Sequence, residues 1–353
     1  MLVESIEQKW LDCFRKVFTL CNVIPGTRAV VLSETLSRQV NVKLAELALL
    51  DLGARAVHLV MPSPRQVAPV PVRSTGTSLA LQGNRSAIAA LKEAEIIIDC
   101  TVEGMLHAPE LKEILAAGPR LMMISNEHPD VLERLMPDPK LDGRVKTGLG
   151  MLAKASRMTV SSAAGTELQI DLKDAPARGS AGFVTEPGKL SYWPAGLCLC
   201  FPRPGSVNGR LVLDVGDMNL TFKRYIESRV SMRVENDYVV AIDGDGLDAQ
   251  LMRSYFDAWN SREAFGVSHV GWGMNPGARW DSLVMYDKND INATEYRALS
   301  GSFLYSTGAN EFANRHTAGH FDLPLRGCSI ALDDTPIVDR GVLLAPLAPP
   351  TNG

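Results

Sequence analysis

Residues 95–101 read Glu95-Ile96-Ile97-Ile98-Asp99-Cys100-Thr101, a short, continuously apolar and β-branched run that closes on polar residues. A strand exposed on one face alternates apolar and polar residues. A run without alternation predicts a strand covered on both faces, the situation of a parallel sheet between helices. Runs of the same texture stand to either side, at Arg28–Leu32, Ala56–Met61 and Arg120–Ser125. Between them lie stretches of helical period, at Val40–Leu52, Asn84–Ala94, Pro109–Ala117 and Pro129–Leu135, and Asp142–Ala155 continues the series. Strand and helix in alternation predict an α/β domain with a mostly parallel sheet. The Pro-, Ser- and Thr-rich stretch Pro62–Ser78 reads as a long exposed loop.

From Met158 the texture changes. Met158–Ser161, Glu167–Leu172, Arg210–Val215, Arg229–Val234 and Tyr238–Ile242 are short runs separated by Gly, Asp, Asn and Pro, and Leu247–Asn260 is the clearest helix. This predicts an α+β, largely antiparallel C-terminal domain. We place the boundary near residue 156, giving 1–156 as the α/β domain and 157–353 as a β-rich, metal-binding catalytic domain. Asp174–Leu190 has loop composition and a length that makes it a candidate lid.

Composition narrows the function. The 353 residues are 46% hydrophobic, enough for a large core, with a net charge of −4 and no basic stripe, which argues against a nucleic-acid partner. The longest apolar runs are far shorter than the roughly 20 residues needed to span a bilayer, and the N-terminus lacks an apolar signal core, so a cytoplasmic protein without a membrane partner is expected. Six scattered cysteines imply no disulfide framework; Cys198 and Cys200, two apart, read as small core residues. Gly244, Gly246 and Ala249 imitate a dinucleotide fingerprint, but Asp243, Asp245 and Asp248 crowd the place of a pyrophosphate, so a strand–turn–helix junction is the better reading.

Among six histidines, His58 lies in an apolar strand and His128, before Pro129, in a turn that opens a helix. His320-Phe321-Asp322 is the strongest local signal. On an extended strand, residues two apart share a face, so an imidazole and a carboxylate converge. One further His would complete a two-His, one-carboxylate set that leaves three positions of an iron(II) open. His269 lies in the glycine-rich segment GVSHVGWGMNP (266–276), suited to a close backbone approach to a site, though a structural hydrogen-bonded His fits that segment equally well. His316 lies near His320 in sequence.

The segments YWPAG (192–196), LVLDVGDMNLTFK (211–223), GVSHVGWGMNP (266–276), FLYSTGAN (303–310) and HFDLPLRGCSIALDD (320–334) resemble the 2,5-dihydroxypyridine 5,6-dioxygenase family, ring-opening enzymes of nicotinate degradation. The resemblance runs over nearly the whole chain. It implies Fe(2+) held by His269, His320 and Asp322, with a hydroxylated pyridine and O2 as substrates and an N-formylmaleamate-type product. It implies Ser306 as a substrate contact. It also implies that Leu106 and His107 reach into a neighbouring subunit's site, and hence a homo-oligomer. Two positions depart from the family pattern: Tyr192 stands where a catalytic-base His precedes the Trp-Pro, and Ser180 stands where the family has a glutamate near the substrate, which makes it a candidate substrate-binding residue. Tyr192 would then orient the substrate.

A wider similarity runs to the aminopeptidase T-like metallopeptidases, implying their two-domain fold and offering a metal-dependent hydrolase as the alternative function. The glutamates of that dinuclear site fall on Leu197 and His269, so a two-metal peptidase centre looks dismantled.

Overall fold

The computed structural model describes residues 5–65 and 77–349. The segment expected as a loop at 62–78 lies largely outside them.

The run that opened the sequence reading is a strand, Ile96–Asp99, with all four residues buried. It occupies the centre of a five-stranded, wholly parallel sheet in the order 55–61, 28–34, 96–99, 120–124, 190–193. Helices cover both faces, as the unbroken apolar runs require. One layer includes the helices Gln8–Leu20 and Gln39–Asp51, whose Trp10, Phe14, Phe18, Leu44 and Ala48 pack on Ile96, Ile98 and Trp193. The other includes Arg85–Lys92 and Leu111–Ala116, whose Ile88, Leu91 and Ile114 pack on Leu32, Ile97 and Leu121. The first of these helices went unread in the sequence, although Trp10, Phe14, Val17 and Phe18 form an apolar stripe at helical spacing. His128 caps the helix Pro129–Arg134, its ring accepting from the Asp130 N–H.

The C-terminal half is antiparallel. An eight-stranded sheet and a five-stranded sheet pack about one core that includes Leu168, Leu211, Met232, Trp272, Tyr305 and Phe321. The GDGLDA segment is the turn between the strand Tyr238–Asp243 and the helix Leu247–Ala258, as read.

Two expectations need correction. A division at residue 156 does not separate the sheets, because the strand Leu190–Trp193 returns from beyond it to pair in parallel with Arg120–Ile124. A four-residue strand bounded by Gly188 and Pro194 carries too little periodicity to announce that pairing. Asp174–Leu190 is not a free lid either: Ala177–Ser180 is a strand paired with Leu197–Cys200, and Val184 is buried in the N-terminal core.

Candidate metal centre

The site lies on one face of the five-stranded antiparallel sheet, in the order 315–325, 303–310, 267–273, 197–200, 177–180. On Arg315–Leu325 the two-residue period separates Phe321 and Leu323, which enter the core, from His320 and Asp322, which share the opposite face. Ser306 on the neighbouring strand is the cross-strand partner of Asp322. His269 reaches the same face through a bulge. Val267 pairs with Thr307 but Val270 with Tyr305, so one extra residue sits at Ser268–His269. A bulge of this kind re-aims a side chain, here toward Ser306.

The result is a buried group of two imidazoles and a carboxylate whose ligand atoms lie within 4.8 Å of one another. His269 Nε2 is 3.6 Å and His320 Nε2 3.3 Å from the same oxygen, Asp322 Oδ1. The Ser306 hydroxyl donates to that oxygen and lies 2.9 Å from His269 Nε2. The second carboxylate oxygen, Oδ2, takes the Nε–H of Arg297, from the short helix Thr294–Arg297. Arg297 carries no motif, and the sequence reading did not find it.

Burial alone would raise the Asp322 pKa. The Arg297 guanidinium first, then His320 and His269, outweigh it and hold the carboxyl well below the usual range. Burial chiefly lowers His269, to about 3, against the pull of Asp322, so its ring is neutral and offers a lone pair. The His320 Nδ1 is buried without a hydrogen-bond partner. A neutral imidazole, an ionised carboxylate and an orphaned ring nitrogen form a donor set that fits a divalent metal of the iron class.

The remaining candidates divide. His107 stands beside its own chain's His320, with ring centroids 5.5 Å apart, and Leu106, half-buried, precedes it. Within the single chain, the pair thus lies at that chain's own ligand group. The loop after Ile96–Asp99 is anchored within the chain: Asp99 accepts from the Thr101 N–H at 3.0 Å and the Met105 N–H at 2.7 Å, and Glu34 from the Val102 N–H at 2.7 Å. Burial, then the nearby His320, lowers the His107 pKa to about 3, so its ring too is neutral. Tyr192 packs against the cluster of Met105 and Met123 and lies within electrostatic reach of Arg297 and Asp322; burial pushes its hydroxyl above the ordinary tyrosine value.

Ser180 does not join the group. Its hydroxyl is held by Ser191 Oγ at 2.7 Å and receives the Gly182 N–H at 3.2 Å, so it ties two strands together. His316 is exposed and hydrogen-bonds Asn314, away from the ligand face. Leu197, where a glutamate ligand of a two-metal hydrolase would fall, is a buried leucine.

Comparison with known proteins identifies the family. The family profile described as 2,5-dihydroxypyridine 5,6-dioxygenase matches residues 9–345. A curated 2,5-dihydroxypyridine 5,6-dioxygenase from Pseudomonas putida is 38% identical over 269 residues, 76% of each chain. The solved structure of 2,5-dihydroxypyridine dioxygenase from P. putida KT2440 superposes with a TM-score of 0.91 at 34% identity, covering 96% of this chain and 97% of that one. Wild-type AmpT from Thermus thermophilus shares the fold, with a TM-score of 0.66 at 11% identity over 97% of this chain and all of its own.

Proposed function

The chain belongs to the 2,5-dihydroxypyridine 5,6-dioxygenase family, and on that premise we propose that it is an iron(II)-dependent enzyme opening 2,5-dihydroxypyridine or a close analogue. The bond between ring carbons 5 and 6 breaks, each carbon takes one atom of O2, and the product is of the N-formylmaleamate type. The observation that carries this reading is the buried convergence of His269, His320 and Asp322 on one sheet face. These three side chains would hold the iron, which supplies the spin-allowed route by which O2 reacts with an organic ring.

The chain's other residues supply position and proton control. Arg297 keeps the Asp322 carboxyl ionised and fixes which oxygen faces the imidazoles. Ser306, beside both Asp322 and His269, is placed to hydrogen-bond a substrate oxygen that arrives there. His107, neutral and with its Nε2 buried without a partner, is placed to position the substrate by a hydrogen bond; the burial that lowers its pKa to about 3 works against its taking a proton. Tyr192 keeps its proton at neutral pH and therefore donates a hydrogen bond rather than acting as the base.

No helix among the described residues is long and apolar enough to cross a membrane. We place the enzyme in the cytoplasm as a homo-oligomer whose sites each draw His107 from their own chain. Light scattering on the purified protein tests the assembly state.

Anaerobic reconstitution with iron(II), followed by oxygen uptake with 2,5-dihydroxypyridine and a panel of hydroxypyridines, tests the activity. Iron-dependent uptake that vanishes in His269→Ala and Asp322→Ala is the expected result. Folded, metal-loaded protein that consumes no oxygen with any ring would defeat it.

A further inference from the structure

The ligand face does not end at the metal group. Leu197–Cys200 pairs antiparallel with Val267–Gly273, with Cys200 opposite Val270. The next residue, Phe201, therefore lies across from the bulge that turns His269. Cys200 enters the core, so Phe201 takes the opposite face, where its ring centroid is 5.7 Å from that of His269. Phe312 follows the strand Phe303–Asn310 and sits 5.1 Å from Phe201, ring to ring. The Arg178 guanidinium lies 5.4 Å over the Phe312 ring. On the inner side, His269 stacks on His320 at 5.4 Å, and His320 meets His107 at a tilt with centroids 5.5 Å apart.

Five rings thus touch in succession, Phe312, Phe201, His269, His320 and His107, and exposure falls from Phe312 to His269 while His107 at the other end is half-buried. Arg178 is exposed, Phe312 is 40% exposed, Phe201 half-buried, and His269 buried. A single exposed phenylalanine is ordinary surface. A phenylalanine 40% exposed at one edge, with its ring against one that abuts a buried ligand imidazole, is not isolated surface. It is the outer end of a continuous aromatic wall.

We propose that Phe201 and Phe312, with Arg178 at the rim, form the ring-recognition mouth of the site, admitting a flat, oxygen-substituted heteroaromatic by stacking. Offset or edge-to-face contact between aromatic rings rewards a planar ligand beyond simple area burial. A cation at the rim favours a ring whose oxygen substituent carries negative charge. Neither phenylalanine offers an atom to a metal; Phe312 acts on substrate alone, while Phe201 also backs the His269 ring. The identity of the ring rests on the dioxygenase reading; the existence of the mouth does not.

The test is steady-state kinetics of the iron-loaded full chain with 2,5-dihydroxypyridine, comparing Phe312→Leu, Phe312→Tyr and Phe201→Leu with wild type. Loss of one aromatic contact is worth about two- to tenfold in binding. Phe312→Leu is expected to raise KM by about that factor with kcat within twofold, and Phe312→Tyr to restore it. Iron stoichiometry and circular dichroism should match wild type in all three. KM within twofold of wild type for both leucine variants would overturn the proposal. A loss that tracks iron content or secondary structure would overturn it too, by assigning the rings a structural role. If wild type turns over no hydroxypyridine, the dioxygenase reading fails separately. The mouth is then judged by anaerobic equilibrium dialysis of 2,5-dihydroxypyridine: binding weakened in the leucine variants keeps it, and equal or absent binding removes it.

Discussion

Arg297 and Asp322 meet through one nitrogen and one oxygen, and that pairing decides which face of the carboxylate looks into the site. With Oδ2 held by the guanidinium Nε, Oδ1 faces His320 at 3.3 Å and His269 at 3.6 Å. Replacing Arg297 by Met is expected to weaken iron(II) affinity about 10- to 100-fold, the usual consequence of removing a partner that orients a ligand. Competition with a chelator measures it. An unchanged affinity would mean that Asp322 is held without help.

Ser306 is fully buried and bonded to the same carboxylate oxygen. Ser306→Ala removes a hydroxyl without opening a large void, so folding and bound iron are expected to persist. Turnover should fall about 10- to 100-fold, in line with one lost hydrogen bond to a charged or developing-charge partner. Equal losses in metal content and in activity would instead make Ser306 a prop for the ligands.

Tyr192→Phe separates a donor from a base. Because burial holds the Tyr192 hydroxyl protonated through neutral pH, the variant should lose activity while keeping the shape of its pH–rate profile between about pH 6 and 9. A profile whose basic or acidic limb disappears in the variant would show that Tyr192 titrates in catalysis. The companion change Tyr192→His, which restores the residue of the family pattern, is expected to introduce a new acidic limb.

Asp99 gives a prediction about stability. Burial raises its pKa from 3.8 to about 6, against the lowering effect of hydrogen bonds from Thr101 and Met105. The folded state therefore binds the proton more tightly than the unfolded chain. Stability contributed by the neutral form is full below about pH 4 and is lost as pH rises through 6. Relative to Asp99→Asn, which does not titrate, wild type should lose about 2 kcal/mol between pH 4.5 and 7.5. Urea unfolding at the two pH values reads this difference, and a gap independent of pH would show that the carboxyl titrates normally.

The parts legible in the sequence were those governed by short-range period. Ile96–Asp99 announced a doubly covered strand because none of its residues faces water, and His320 and Asp322 announced a shared face because a strand repeats every two residues. What escaped depends on partners far along the chain. His269 reaches the site only because its strand gains a residue against Phe303–Asn310, and register is not written in either strand alone. Arg297 lies on one turn of helix whose place is set by Glu127, which takes the N–H groups of Asn292 and Thr294 from a loop more than 160 residues away. The surroundings of Ser180 were hidden for a related cause: its hydroxyl meets Ser191, a neighbour created by the fold.

The strand Leu190–Trp193 has a mechanical consequence. It lies in the first half's sheet, with Trp193 buried in that half's core and its indole N–H on the Leu135 carbonyl at 2.8 Å, while the chain on either side belongs to the second half's sheets. The two halves are stitched rather than tethered. A cut at residue 156 would strip the parallel sheet of its edge, so neither fragment inherits a finished core. Unfolding should then proceed as one cooperative event. Any breathing that admits substrate must come from the loops around the site, because the stitch leaves no free hinge at the midpoint of the chain.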